Sequence, residues 1–260
     1  MKISVITVCF NAASTIADTL RSVLQQTYRE FEHIIIDGSS TDNTLEIIAS
    51  VEGHTCRLVC EPDRGIYDAM NKGIALATGD IVGFLNADDF YAGSDVLSTI
   101  ATVFADQFLD SCYGDLCYVS QKNAIKTVRY WRSEDFRPGA FSRSWCPPHP
   151  TFYVRRSIYN RHGGFDLSYK IAADFELMAR YLERKKISTI YVPKVLVKMR
   201  LGGTTNRSFK NVLHQNQEIW RAVQDLKLKT SLFKFFVFKL FWKISQFFKH
   251  PKHEDTGDRR

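Results

Sequence analysis

Ile81-Val82-Gly83-Phe84-Leu85-Asn86-Ala87-Asp88-Asp89 is an apolar run that stops in two adjacent acids. A short continuous apolar run bounded by turn residues reads as a strand buried on both faces. Strands of that kind belong to parallel sheets covered by helices. The sequence before it repeats the pattern. Ile3 to Cys9, Phe31 to Asp37 and Arg57 to Glu61 read as strands. Ser14 to Gln26, Thr44 to Ser50 and Ile66 to Ala77 carry helical spacing, and Asp95 to Ala105 adds a fourth helix. This alternation predicts an α/β fold with a mostly parallel sheet flanked by helices.

Ligands of such sheets bind beyond the carboxyl ends of the strands. Three polar features fall there: Asn11 after the first strand, Asp37 after the second, and Asn86-Ala87-Asp88-Asp89 after the fourth. Two adjacent carboxylates repel unless a cation or hydrogen-bond donors neutralise them. A hard divalent ion such as Mg²⁺ or Mn²⁺ takes one or two protein carboxylates plus substrate phosphates. A solvated turn capping the next helix is the competing reading. Asp37 could accept from a ribose hydroxyl or a base, or could cap the helix behind Gly38-Ser39-Ser40.

The second half changes character. Cys112 to Val119 and Ala124 to Trp131 read as paired strands. Arg132 to Pro148 is a long loop with three prolines. Thr151 to Val154, Ile187 to Val192 and Val195 to Leu201 read as strands, and Ala172 to Arg184 and Phe209 to Leu226 as helices. The expected organisation is one domain over 1–206, in two parts, 1–110 and 111–206. Helices over 207–249 and a disordered tail over 250–260 follow.

The chain has 260 residues, 45% of them hydrophobic, and a net charge of +7. A basic balance favours an anionic partner. The excess concentrates in 227–249, where Lys227, Lys229, Lys234, Lys239, Lys243 and Lys249 meet no acid and stand among phenylalanines and a tryptophan. That points to a membrane surface and away from nucleic acid. Six cysteines without a C-x-x-C pair, several of them (Cys9 and Cys60 among these) in apolar strand-like runs, fit reduced, buried thiols in a cytosolic protein better than a zinc ribbon. No apolar run reaches the roughly 18 residues that span a bilayer.

Ile6-Thr7-Val8-Cys9-Phe10-Asn11, Asp37-Gly38-Ser39-Ser40-Thr41-Asp42, Gly65-Ile66-Tyr67-Asp68-Ala69-Met70-Asn71-Lys72-Gly73 and Asn86-Ala87-Asp88-Asp89 stand in the order seen in family 2 glycosyltransferases, and the chain resembles that family from about residue 2 to 205. The segment from Asp63 to Gly73 is similar to enzymes that build bacterial exopolysaccharide, colanic acid and O-antigen. The resemblance implies a GT-A, Rossmann-like fold, a catalytic domain whose 1–110 half binds the nucleotide and whose 111–206 half meets the acceptor. It implies inverting transfer from a nucleotide-sugar donor, UDP-linked ahead of GDP- or dTDP-linked, to a hydroxyl of a lipid-linked saccharide acceptor. It implies that Thr7, Cys9, Asn11 and Asp37 hold the nucleoside and that Arg64 and Lys72 meet base and diphosphate. Asp89 would bind the metal, with Asp88 shared between metal and ribose. Asn86 replaces the usual first acid of the metal motif. Asp174, in Ala172-Ala173-Asp174-Phe175-Glu176, resembles the catalytic base, which takes the proton of the acceptor hydroxyl; a helix N-cap acid is the plain alternative. His149 would touch donor sugar or diphosphate. Gly203 and Thr204 belong to a glycine-rich loop that would close over the diphosphate, with Arg200 adding charge.

On a helical wheel, Lys227 to Lys249 gathers Phe233, Phe236, Val237, Leu240, Phe241, Ile244, Phe247 and Phe248 on one face and turns Phe235, Phe238 and Trp242 towards the other. That is the pattern of an interfacial helix with snorkelling lysines; packing against the catalytic domain or a homodimer partner is the alternative. The expected location is the cytoplasmic face of a bacterial inner membrane. A non-catalytic nucleotide-binding scaffold is the rival function. A nucleotidyltransferase would need a Gly-rich phosphate loop, which Asn11-Ala12-Ala13-Ser14 is not.

Overall fold

The computed structural model describes residues 1–53, 55–121, 126–201 and 209–248. The first half alternates as the apolar runs require: β1 (Ile3–Cys9), α1 (Ile16–Leu24), β2 (Phe31–Asp37), α2 (Thr44–Ser50), β3 (Arg57–Cys60), α3 (Ile66–Leu76), β4 (Ile81–Phe84), β5 (Asp89–Tyr91) and α4 (Val96–Val103). There follow β6 (Ser111–Val119), β7 (Thr127–Trp131), β8 (Tyr153–Arg155), α5 (Arg156–His162), α6 (Ala173–Ala179), β9 (Thr189–Arg200), α7 (Phe209–Asp225) and α8 (Leu232–Phe248). A π-helical turn, Arg180–Arg184, extends α6.

The nine strands among the described residues form one sheet, ordered β3-β2-β1-β4-β8-β6-β9-β5, with β7 sharing an edge of β6 with the shorter β8. From β3 to β4 the pairing is parallel, as expected of near-continuous apolar strands. Beyond β4 the sheet is mixed: β8 runs antiparallel to β4 and β6, β9 parallel to β6, and β5 antiparallel to β9. The register Cys9↔Asp37↔Cys60 leaves three strand ends flush on one rim. Gly73 lets α3 lie against β1, since a Cβ there would run into Ile6.

Four expectations need correction. Asp89 is not in a free turn but opens β5, paired with Met199. The helix α5 was not foreseen. The two strands predicted over Ile187–Leu201 are one, β9, whose pairing with β6 skips a register step opposite Gly114, where Pro193 is tolerated. Cys60 is exposed because β3 is an edge strand, whereas Cys9, Cys112 and Cys117 are buried; all six thiols are free.

The C-terminal helix leaves most of the wheel's apolar face exposed, but the side the wheel turned away from that face is not all solvated. Phe235 is fully buried, edge-on to Phe175 and Trp220 at 6.4 and 6.0 Å between centroids. Phe236 and Trp242 pack beside it. The row left exposed is Phe233, Val237, Leu240, Phe241 and Ile244. No helix among the described residues is long and apolar enough to cross a membrane.

Candidate active site

The rim begins at β1. Asn11 adopts φ 50°, and its Oδ1 accepts from the Thr41 amide at 2.9 Å. The Asn11 amide donates to Ser40 Oγ, and the Gly38 amide donates to the Cys9 carbonyl. These bonds stitch the loop after β2 onto the end of β1 and leave Phe10 with 62% of its surface exposed. An exposed aromatic at a strand end offers a π-face on which a flat base can stack.

Asp37 is buried and occupied on both oxygens. It accepts from the Ser40 amide (2.8 Å) and hydroxyl (2.5 Å), and from the Cys9 and Cys60 thiols (3.4 and 3.2 Å). Burial works to raise its pKa, but the Ser40 hydroxyl and amide and the two thiols outweigh it and hold the carboxylate below its usual range. Asp37 therefore shapes the loop and has no oxygen left for a ribose. Cys9 serves that buried cluster too. Thr7 is likewise interior: its hydroxyl bonds the Leu85 carbonyl at 2.7 Å and lies 2.8 Å from His33 Nε2, tying β1 to β4 and β2. Neither Thr7 nor Cys9 faces a ligand.

An acid that does reach the rim is Asp63. A Cβ on Gly38 would come 2.5 Å from Asp63 Oδ2 and 3.5 Å from the Phe10 ring, so the bare glycine lets all three meet. Asp63 Oδ1 accepts from the Gly65 amide at 2.8 Å, and Gly65, at φ 113°, starts α3. Lys72 is spent on this same loop, at 2.7 Å from the Pro62 carbonyl and 2.8 Å from Glu61. Arg64 pairs with Asp68 at 3.0 Å while staying largely exposed.

At the end of β4, the Asp89 amide donates to the Asn86 carbonyl and Thr19 holds the Asp89 carbonyl at 2.7 Å. Asn86 Nδ2 lies 3.2 Å from Asp89 Oδ2. Asp89 Oδ1 and Asn86 Oδ1 are buried without a hydrogen-bond partner. Burial, then the neighbouring Asp88, push the Asp89 pKa well above the carboxylate range. Asp88 is half-buried. Arg200, expected in the closing loop, is anchored instead: it donates to Asp18 and to the Asp88 carbonyl and lies over the Phe90 ring. Gly203 and Thr204 lie outside the described residues.

Two orphaned oxygens beside a second acid suit a hard cation. Among the described residues no group of three or more His, Cys, Asp or Glu could hold a metal ion. Asp89, Asp88 and Asn86 would thus fill only part of a coordination shell, the rest falling to oxygens of a bound ligand.

The second cluster is built from α3, α6 and the 149–151 turn. Asp174 Oδ1 accepts from the Phe175 amide at 2.8 Å and lies 3.2 Å from the Tyr67 hydroxyl, which is also 2.8 Å from the Ile171 carbonyl. Burial, then the Asp174 charge, push the Tyr67 phenol well above its usual range, so it remains a donor. His149 is buried between Phe84 and Phe165, with ring centroids 5.4 and 5.5 Å away. Burial lowers its pKa against the opposing pull of Asp174. The apolar box around the ring thus disfavours the imidazolium form. Asn71 fixes this wall by bonding both the amide and the carbonyl of Phe165 at 2.9 Å. A cleft of about 830 Å³ elsewhere, lined by Tyr28, Asp80, Phe104 and Arg155 among others, shares no residue with either cluster.

Residues 4–168 match the model of glycosyl transferase family 2. The chain is 31% identical over 208 residues to the PGL/p-HBAD biosynthesis glycosyltransferase of Mycobacterium tuberculosis, covering 78% of each. Among solved structures it superposes on residues 1–349 of S. aureus TarS in complex with UDP (TM-score 0.65, 20% identity, 89% of this chain and 67% of that one). It also superposes on a mannosyltransferase from Pyrobaculum calidifontis in complex with GDP-Man and Mn²⁺ (TM-score 0.64, 19% identity, 94% and 70%).

Proposed function

The chain belongs to glycosyl transferase family 2, and from that premise we propose that it moves a sugar, with inversion, from a UDP-linked donor to a hydroxyl of a growing, lipid-linked bacterial surface polysaccharide. The observation that carries the reading is the turn from Asn86 to Asp89. It holds a buried acid with an unpartnered oxygen, next to a second acid and an unpartnered carboxamide oxygen, at the end of a central strand. That arrangement costs stability unless positive charge arrives with the ligand.

The chemistry divides between the two clusters. Phe10 offers its exposed face to the base, beside Asp63 and Gly38. Asp174 accepts the proton of the acceptor hydroxyl as that oxygen bonds to the anomeric carbon and the bond from that carbon to the diphosphate breaks. Tyr67 and the Phe175 amide hold Asp174 Oδ1, which orients the other oxygen for the proton. A Mg²⁺ or Mn²⁺ ion on Asp89 and Asp88 would supply Lewis-acid stabilisation of the departing diphosphate. The exposed apolar row of α8, with Lys234 and Lys239 on the same helix, rests on an anionic membrane surface where a lipid-linked acceptor resides.

A thermal-shift panel tests the donor. One of UDP-, GDP-, dTDP- or CMP-linked sugars, UDP first, is expected to raise the unfolding midpoint in the presence of Mn²⁺. No shift from any of them contradicts the reading.

A further inference from the structure

The turn that carries Asp174 has no cap of its own. Residue Ala172 occupies the N-cap of α6 and has no side-chain acceptor. Yet the three amides before the helix are all satisfied by one carboxylate from a distant helix. Lys170 donates to Glu218 Oε1 at 2.8 Å, and Ile171 and Ala172 donate to Oε2 at 2.8 and 3.0 Å. Glu218 lies in α7, 5% exposed, beyond the span matched by the family model. A buried carboxylate is costly to leave unpaired, and here three amides share its charge.

Neighbouring bonds hold the same segment from the same helix. Arg221 donates to the Ser168 carbonyl at 2.9 Å and lies 3.8 Å over the Tyr169 ring. The Tyr169 hydroxyl donates to Asp225 at 2.7 Å. From the other side, Tyr67 bridges the Ile171 carbonyl and Asp174. One turn further, Phe175 meets the buried Phe235 of α8. The backbone leading into Asp174 is thus gripped amide by amide, while its carbonyl at Ile171 is tied to the residue that also touches the Asp174 carboxylate.

We propose that Glu218 is a positioning residue for transfer: by gathering the amides of Lys170, Ile171 and Ala172 it fixes the turn that aims Asp174. This rests on Asp174 being the base. Besides the three amides, Glu218 Oε1 lies 3.4 Å from His214 Nε2 of the same helix, and it acts on Asp174 through the backbone of 170–172. A glutamine at this position keeps the shape but presents an NH₂ where an amide proton now points, so one or more of the three bonds is lost and the turn loosens. Misplacing a reacting group by about 1 Å can cost on the order of a hundredfold in rate.

The test uses the full chain, with Glu218→Gln and Asp174→Asn compared side by side. Turnover is UDP released from UDP-glucose or UDP-N-acetylglucosamine, whichever the unaltered chain hydrolyses faster. Binding is the UDP dissociation constant from calorimetry. Glu218→Gln is expected to lower kcat by about tenfold to a hundredfold, with UDP affinity kept within about twofold. Unchanged kcat, or an equal loss of kcat and UDP affinity, overturns the proposal. Amide exchange in the unaltered protein decides the case should the variant not fold. Lys170, Ile171 and Ala172 are expected to be protected like the amides inside α6, and exchange at the rate of open loops overturns the clasp. If Asp174→Asn leaves turnover intact, the assignment of the base fails. If Asp174→Asn abolishes turnover and Glu218→Gln does not, only the positioning role fails.

Discussion

Asp89 is an acid buried where charge is expensive, and the sign of the effect on stability is fixed by the direction of its pKa. Unfolded, it titrates near the ordinary aspartate value of about 3.9. Folded, burial and Asp88 hold it well above that. Between the two values the folded chain binds more protons than the unfolded one, so stability is fully present at low pH and falls as pH rises through the folded pKa. Asp89→Asn removes that liability without changing shape. The metal-free variant is expected to unfold at a higher temperature than the unaltered chain at pH 7 to 8, by roughly 2–4 °C for each kcal/mol regained, with little difference near pH 4. Mn²⁺ with UDP should stabilise the unaltered chain and not the variant, and turnover should be lost. Thermal unfolding over this pH range checks it; parallel curves for the two proteins contradict it. Asn86, Asp88 and Asp89 are legible in sequence because two acids after an apolar run are conspicuous. Phe10 and Asp63 carry no such signal. Their meeting depends on the bare Gly38 and on a loop closed by Lys72, Glu61 and Gly65. Thr7 and Cys9 share the motif's stretch with Asn11, but β1 is buried along its whole length on both faces, so both side chains are enclosed.

Among the elements, β1, β2 and α2 have the bounds that hydrophobic patterning implies, because long apolar runs with turn chemistry at both ends leave little choice. The three-residue β5 and the polar α5 give no periodic signal, and both are held by tertiary contacts. The helix α8 is the instructive case. The wheel separates the Phe233 to Ile244 row from Phe235 but cannot say that the second face meets the protein, and the structure turns Phe235 inward and that row outward. The distinction changes the experiment. Deleting 229–260 would also strip Phe235 from the core, and truncating a buried phenylalanine costs about 3–5 kcal/mol. Phe233→Gln with Phe241→Gln instead removes mainly exposed apolar surface, with one edge contact of Phe241 to Trp242. That pair is expected to shift the protein from the membrane pellet to the supernatant of vesicles containing anionic lipid, with the unfolding midpoint almost unchanged. Phe235→Ala is expected to do the reverse, lowering the midpoint while vesicle binding persists at low temperature. Equal pelleting of the Phe233/Phe241 variant contradicts membrane docking.

At the scale of the molecule, the parallel half of the sheet ends in the Phe10, Asp63 and Asp89 rim, and the mixed half carries α6 and Asp174. The proposed division between a donor side and an acceptor side rests on that topology. The first half was legible because βα alternation is repetitive. The second half was not, because Tyr67, Glu218 and Phe235 reach Asp174 and its flanking residues from 107, 44 and 61 residues away in sequence, and no local pattern reports such contacts. In the proposed mechanism Asp174 takes the acceptor's proton. Sugar transfer and UDP binding by Asp174→Asn, measured in the same preparation, test that role. Turnover is expected to fall by about 10²–10⁴-fold, the usual weight of a general base, with UDP affinity and unfolding midpoint preserved. Turnover equal to that of the unaltered chain would contradict it.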